Sequence, residues 1–290
     1  MAGTVSLLIE NGFDCKEHEH DSSSSWRDET TRSPTPLERA VSYGNVEIIR
    51  MLISHGADVN STIGVSTPLL VAVTSQGQEQ LQAVQTLLDV QADPDQAIAG
   101  VWFCSPLTAA IGMRNIDIVR LLLDNGAEVN PWEDRPLYRA ICFHDSSQRD
   151  KDIISLLLER GADPNAKGRT EGCRKHPTPL ARAVYECHTW VPEDDETMIN
   201  PLEIVDLLVA YGAEINYVPI MERENIVHRA IHPRQNLAIL KHLLNHLGAD
   251  PNITNSKLPR SRVWTPLHKA MWKKIPANRV ALLLQYGASP

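Results

Sequence analysis

Three short segments of this chain contain side chains that could bind a metal or transfer protons. Near the N-terminus, Cys15, His18 and His20 form the pattern C-x-x-H-x-H. A structural zinc site takes four ligands in paired spacings, and this cluster falls short of that arrangement. The serines and acidic residues that follow indicate a polar, flexible segment instead. We therefore predict that the chain binds no metal and no cofactor.

The other two segments are insertions that contain histidines and carboxylates. The longer one runs from Tyr185 to Leu202 and contains His188 and the acidic run Glu193–Glu196. General acid–base catalysis needs side chains aimed at one reacting atom, whereas consecutive carboxylates point in different directions. We interpret this run as a solvated loop. The shorter insertion contains His144 and Asp145 but no nucleophile that the sequence places beside them.

The amino-acid composition disfavours several classes of protein before any secondary structure is assigned. The formal charge is −8, with 28 basic and 36 acidic residues, which disfavours a nucleic-acid-binding protein that relies on phosphate contacts. The five cysteines are scattered and form no C-x-x-C pair, as is typical of a reducing compartment. The sequence shows no signal-peptide pattern and no apolar run long enough to span a membrane. We expect a soluble cytoplasmic or nuclear protein.

A repeat organises the chain. The segment "TPLERAVSYGNVEIIRMLISHGADVN", Thr35 to Asn60, recurs six more times as a unit of about 33 residues with insertions. The seven copies start near residues 35, 67, 105, 135, 178, 225 and 265. We predict one repeat domain over 35–290, preceded by a partial N-terminal cap and a polar flexible segment over 1–34.

Each copy contains the start and stop signals of two helices. Thr, Ser or Asn opens six copies as an N-cap, and an Ala follows where two helices pack closely. The second helix has apolar residues at i, i+3 and i+4 and ends at a glycine suited to left-handed backbone. Gln91 replaces that glycine in the second copy, and Arg135 replaces the N-cap in the fourth. Each replacement is expected to cost about 1 kcal/mol.

The segments T-P-L-H-x-A and L-L-x-x-G-A-D-x-N resemble the ankyrin repeat. The resemblance implies an all-α helical solenoid with β-hairpin fingers between repeats and a concave face of first helices and fingers that binds other proteins. It also implies a hydrogen bond between repeats from the histidine after Leu, which only His228 and His268 retain. We expect that bond to be missing where other residues replace the histidine, namely at Glu38, Leu70, Thr108, Tyr138 and Ala181.

Basic residues recur at one position of the predicted concave face. The residue directly before the Ala at which the two helices pack is basic in five of the seven copies. A residue with an aromatic or imidazole ring lies about one helical turn after it in five copies. The seven residues are Arg39, Val71, Ala109, Arg139, Arg182, Arg229 and Lys269, and the rings belong to Tyr43, Phe143, Tyr185, His232 and Trp272. With Trp102 and Trp132 in the fingers, these basic and ring residues are our predicted partner-binding residues. They suit an acidic or phosphorylated peptide.

Two simpler interpretations of these residues remain open. Arg and Lys are also ordinary helix-forming residues at exposed positions, and finger rings can fold back onto the neighbouring turn.

The function we favour is non-catalytic recognition of another protein. A small-molecule enzyme of the isomerase or cyclase type is the alternative, in which the inserts of the fourth and fifth copies cover a pocket in the groove. The residues around that pocket would be His144, Tyr185, His188, Trp190 and Trp272. A third alternative is pure scaffolding within a longer polypeptide. The partner and the oligomeric state stay open.

Overall fold

A computed structural model describes residues 34–62, 66–77, 79–96, 105–131, 134–143, 147–166, 178–186, 200–218, 224–254 and 264–289. Within these ranges the regular elements are α-helices and no strand occurs, which confirms the all-α prediction. In chain order the helices are α1 Pro36–Ser42, α2 Val46–Ser54, α3 Pro68–Thr74, α4 Gln80–Asp89, α5 Pro106–Gly112, α6 Ile116–Asp124, α7 Pro136–Phe143, α8 Gln148–Glu159, α9 Pro179–Glu186, α10 Pro201–Ala210, α11 Ile226–Ala230, α12 Leu237–Asn245, α13 Pro266–Trp272 and α14 Ala277–Gln285.

The helices form pairs, one pair for each predicted copy, in two compact units over residues 1–134 and 135–290. In the first unit the first helices α1, α3 and α5 pack side by side, and the second helices α2, α4 and α6 form a second layer. In the second unit α7, α9, α11 and α13 pack in that order. The core between the layers is Leu, Ile, Val and Ala, with fully buried side chains such as Ile49, Leu122 and Leu157.

The predicted N-caps are confirmed. Thr35, Thr67, Ser105, Thr178, Asn225 and Thr265 each accept a hydrogen bond from a backbone N–H in the first turn of their helix. Polar residues also cap five of the second helices, a signal that is present in the sequence but was not among the predicted caps. These caps are Asn45, Asn115, Ser147, Asn200 and Asn236.

The prediction that five copies lose the bond between repeats is wrong for two of them. Glu38 is 1% exposed, and its Oε1 accepts from the backbone N–H of Ser66, which precedes the next copy, at 2.9 Å. The Thr108 hydroxyl donates to Oδ2 of Asp134, which precedes the fourth copy, at 2.5 Å. At Glu38 the direction of the bond is reversed, because a carboxylate accepts whereas the histidine of the family pattern donates. At Thr108 the side chain still donates, but its acceptor is the carboxylate of Asp134 instead of a backbone carbonyl.

His228 makes the equivalent contact in the sixth copy. Its Nε2 lies 3.0 Å from the carbonyl oxygen of Trp264, the residue before the N-cap of α13. Because a carbonyl can only accept, Nε2 carries the proton. Three chemically different side chains at the same position, Glu38, Thr108 and His228, therefore join the start of a first helix to the residue that precedes the next copy. We call these three contacts the N-cap ties.

The turns after the second helices are joined through an Asn side chain to which the sequence assigned no role. Asn165 accepts from the backbone N–H of Glu214 at 2.8 Å and donates to the carbonyl of Gly212 at 2.9 Å. Asn60 and Asn252 bond in the same way to the turns that follow theirs. Where the predicted hairpin fingers fall within the described residues they are turns, and the hairpins stay a prediction.

The predicted glycine C-caps are confirmed, with φ between 67° and 93° at the six positions. Those positions are Gly56, Gly126, Gly161, Gly212, Gly248 and Gly287. Gln91 occupies the same position in the second copy and has a φ of 66°, where a side chain with a Cβ is strained.

Replacing Gln91 with glycine is expected to raise the free energy of unfolding by about 1 kcal/mol, because the left-handed strain disappears. Urea denaturation followed by circular dichroism measures this change. Gln91→Ala is the matched control, since it removes the long side chain but keeps the strained Cβ, and it should leave the midpoint nearly unchanged. Equal midpoints for the glycine and alanine variants would exclude backbone strain as the cause.

Candidate binding face

Four of the five predicted basic residues lie on consecutive first helices of the second unit. Arg139, Arg182, Arg229 and Lys269 occupy the same position on α7, α9, α11 and α13. In the first unit only Arg39, which is exposed, is basic, because Val71 and Ala109 occupy this position on α3 and α5. The concentration of charge is therefore a property of the second unit. Whether these residues contact a partner stays a prediction.

Arg182 has its charge paired within its own helix. Its guanidinium forms an ion pair with Glu186, one turn further along α9, and lies over the ring of Tyr185 at 5.7 Å from the ring centroid. Both contacts orient the side chain and cover part of its surface. A partner carboxylate would have to compete with Glu186 or be added beside it.

Lys269 is buried rather than presented to solvent. The residue is 7% exposed, and its Nζ lies 2.6 Å from Oε1 of Glu224 and donates to the carbonyl of His228 at 2.8 Å. Burial lowers the pKa of this ammonium group, and the bond to Glu224 works against that effect. Lys269 thus joins the sixth and seventh copies internally. Its Cβ position on the helix predicted exposure, but its side chain extends towards α11.

The predicted ring residues divide by exposure. Tyr43 is 74% exposed and Trp272 66% exposed, whereas Tyr185 is only 38% exposed, and His232 lies on the surface. The Trp272 ring is held against that of Trp264, with centroids 5.7 Å apart. Trp102, Trp132 and the Phe143 side chain lie outside the described residues.

The groups that surround His232 are mostly positive. Partial burial lowers the pKa of this ring, and the charges of Lys269 and Arg234 lower it further, while Glu224 raises it. Lys269 is in turn affected by the positive charges of Arg229 and Lys273. Among the described residues, the charges that act on His232 and Lys269 are therefore mostly positive, and the carboxylate of Glu224 offsets only part of them.

Residues of the catalytic alternative fall largely outside the described part of the chain. His144, His188 and Trp190 lie outside the described ranges. The other two residues, Tyr185 on α9 and Trp272 on α13, have exposed rings. A cleft of about 250 Å³ opens beside the start of α9, lined by Thr178, Tyr217 and Glu224 among others. This volume includes space that is open to solvent, so the described part of the cleft does not enclose a small molecule. The catalytic alternative stays a prediction.

The described residues contain neither a candidate metal site nor a candidate membrane span. No group of three His, Cys, Asp or Glu side chains within them is arranged to hold a metal ion. None of their helices is long and apolar enough to cross a membrane.

Comparison with known proteins places the repeat in a family. A family model for ankyrin repeats, in three copies, matches residues 1–98 and again 69–168, which together make up more than half of the chain. Ankyrin repeat and SOCS box protein 5 of Oryctolagus cuniculus is 38% identical over 98 residues, 33% of this chain and 28% of that protein. Ankyrin repeat and SOCS box protein 11 of Homo sapiens is 31% identical over 96 residues, which again make up 33% of this chain and 28% of that protein. The match thus spans little more than a quarter of the length of these relatives.

Solved structures are similar over more of the chain. The ankyrin repeat domain of Bcl-3 aligns with a TM-score of 0.65 and 24% identity, covering 88% of this chain and 99% of that one. The ankyrin repeat domain of human ASB11 aligns with a TM-score of 0.57 and 20% identity over the same shares. At these identities the similarity concerns the fold.

Proposed function

This chain belongs to the ankyrin-repeat family, and from that premise we propose that it recognises a partner protein through the face formed by its first helices. Ankyrin repeats are typically protein–protein interaction modules. The observation that carries the proposal is the recurrence of arginine at one position of three neighbouring helices, Arg139 on α7, Arg182 on α9 and Arg229 on α11, in a chain whose formal charge is −8. Lys269, at the same position of α13, is buried and does not contribute to this face. A charge distribution opposite to that of the whole protein favours a specific partner over general solubility.

We propose further that the partner presents carboxylates or phosphates. Arginine donates two parallel hydrogen bonds to either group, and exposed rings such as Tyr185 and Trp272 supply apolar contact area beside it. We propose that the binding surface comprises the concave face and the fingers between the repeats. The affinity should fall as salt concentration rises, because charge attraction at a solvated surface is screened.

Charge reversal of Arg139 tests this proposal. Proteins captured from a cell extract by the 290-residue chain are identified by mass spectrometry, and the affinity of the purified partner is then measured. We expect Arg139→Glu to weaken binding about tenfold, since one attraction becomes a repulsion. Arg182 and Lys269 are bonded to carboxylates of this chain, Glu186 and Glu224, so reversing either charge would also change that bond.

The matched control is Lys241→Glu, which makes the same change of charge at an exposed position of α12, in the layer of second helices. Circular dichroism should show that both variants are folded. Equal affinities for the Arg139 and Lys241 variants would overturn the proposed face, even if a partner protein is found.

A further inference from the structure

The segment from residue 264 to residue 289 differs in charge from the rest of the chain. It contains four basic residues and no acidic residue, whereas the whole sequence has an excess of eight acidic residues. The four are Lys269, Lys273, Lys274 and Arg279. Two of them, Lys269 and Arg279, are buried and bonded to carbonyl oxygens of the preceding copy. Lys273 and Lys274 lie on the surface.

Apolar and cationic side chains are exposed side by side at the end of α13. Met271 and Trp272 are each 66% exposed, and they are followed directly by Lys273 and Lys274. Trp264 contacts the Trp272 ring and limits its freedom. Two large apolar groups exposed together are uncommon on a surface that contacts only water. A ring that is already held loses little conformational entropy when it binds.

The turn between α11 and α12 extends this surface with the same sign of charge. His232 and Arg234 are both exposed in this turn. Lys273, Lys274 and Arg234 form no ion pair with residues of the described ranges. This turn lies beside the last helix pair, because α11 packs on α13, Lys269 donates to the carbonyl of His228 on α11, and Arg279 donates to the carbonyl of Gln235 in the turn. Glu224, the acid that acts on both His232 and Lys269, is already bonded to Lys269.

We propose that this surface binds an acidic peptide segment of a partner protein in which an apolar side chain lies beside carboxylates. We call it the α13 patch, and its residues are His232, Arg234, Met271, Trp272, Lys273 and Lys274. The apolar side chain packs on Trp272 and Met271, and the carboxylates lie against Lys273, Lys274 and Arg234. The inference rests on the proposed function, because it assumes a protein partner, and it gives that partner a sequence requirement.

The charge and the apolar groups together define the occupant. A purely acidic segment would leave Met271 and Trp272 without contact, and a purely apolar one would remove water from the lysines without replacing it. A nucleic acid would meet the lysines but would also be repelled by a chain whose formal charge is −8. An acidic segment with one apolar anchor satisfies both halves of the patch.

Selection from a displayed library of random peptides, each about 16 residues long, tests the inference while the natural partner is still unidentified. The full chain is immobilised, and enriched sequences are read out and synthesised. We expect aspartate and glutamate beside Leu, Phe or Trp. Binding of the synthesised peptides should weaken at least about tenfold in Trp272→Ala and in the double variant Lys273→Glu/Lys274→Glu.

The double variant Arg120→Glu/Lys241→Glu is the control, because it makes the same change of charge at exposed positions of second helices. Peptides without an acidic excess, peptides unaffected by the α13-patch variants, or a failure to enrich any peptide would overturn the inference. So would a labelled single-stranded RNA that binds the patch more tightly than the selected peptides. A partner protein whose affinity depends on Arg139 alone would leave the proposed function standing while the α13 patch is rejected.

Discussion

Replacing Asp134 with alanine is expected to lower the free energy of unfolding of the first unit by about 3 kcal/mol. Asp134 is buried, and its Oδ2 accepts from the Ser105 backbone N–H at 3.0 Å, the Ser105 hydroxyl at 2.7 Å and the Thr108 hydroxyl at 2.5 Å. Alanine would leave three buried donors without this acceptor. Urea denaturation followed by circular dichroism measures the loss.

Two further variants separate the hydrogen bonds from the volume of the side chain. Asp134→Asn keeps the size and one acceptor oxygen, so it should lose less than the alanine variant. Thr108→Val removes one of the three donors and should make a second change at Asp134 less costly, because the two residues share a bond. If Asp134→Ala and Asp134→Asn were equally stable, the three bonds would not be the source of the effect.

Acidification is the second large expected effect, and it concerns His228. This ring is 1% exposed, and burial lowers its pKa from the ordinary value of 6.5 to about 4. Nδ1 lies 2.9 Å from Oδ1 of Asn225, so a protonated ring could donate to two oxygens. Burial and the positive charge of Lys269 lower the pKa by more than the bond to Trp264 and the negative charge of Glu224 raise it.

The unfolded chain therefore takes up a proton at His228 at a higher pH than the folded chain does. The stabilisation from the neutral ring is complete above pH 6.5 and is lost as the pH falls from about 6.5 towards about 4. Over this range we expect a loss of about 3 kcal/mol in the stability of the second unit from this residue. Denaturation midpoints measured at intervals of pH give the change.

Carboxylates also titrate in this range, so a variant without the imidazole is needed. His228→Gln keeps an N–H donor for the Trp264 carbonyl but has no titrating group. The stability difference between the natural chain and this variant should shrink as the pH falls. A difference that is constant with pH, or an NMR titration that gives His228 a pKa near 6.5, would contradict the prediction.

The elements of the fold were predictable because their signals are local. An N-cap oxygen acts within three residues and a C-cap glycine acts at one backbone position, so Thr35 and Gly56 indicate helix ends whatever the neighbouring copies contain. The predicted strain at Gln91 follows from the same local rule, and its φ of 66° agrees with it. Repetition strengthened each signal, since seven copies place the same residues at the same positions.

The N-cap ties of Glu38 and Thr108 could not be predicted in this way, because each joins residues that are distant in sequence. Glu38 bonds to Ser66 and Thr108 to Asp134, whereas the bond of His228 to Trp264 is the one that the family pattern implies. The family pattern names a histidine, but a carboxylate from either side of the junction satisfies the same position. A comparison of copies detects a missing histidine and cannot see which other group has taken over its bond.

The sequence by itself determined the family, the order of the helix pairs that the structure describes, and the recurrence of basic residues at one helical position. Only the tertiary structure decided what surrounds each of those residues. Arg39 is exposed, Arg182 is paired with Glu186, and Lys269 is buried against Glu224. The physical reason is that helical periodicity fixes the direction of a Cα–Cβ bond, whereas a long side chain ends several ångströms away among groups from the neighbouring copy.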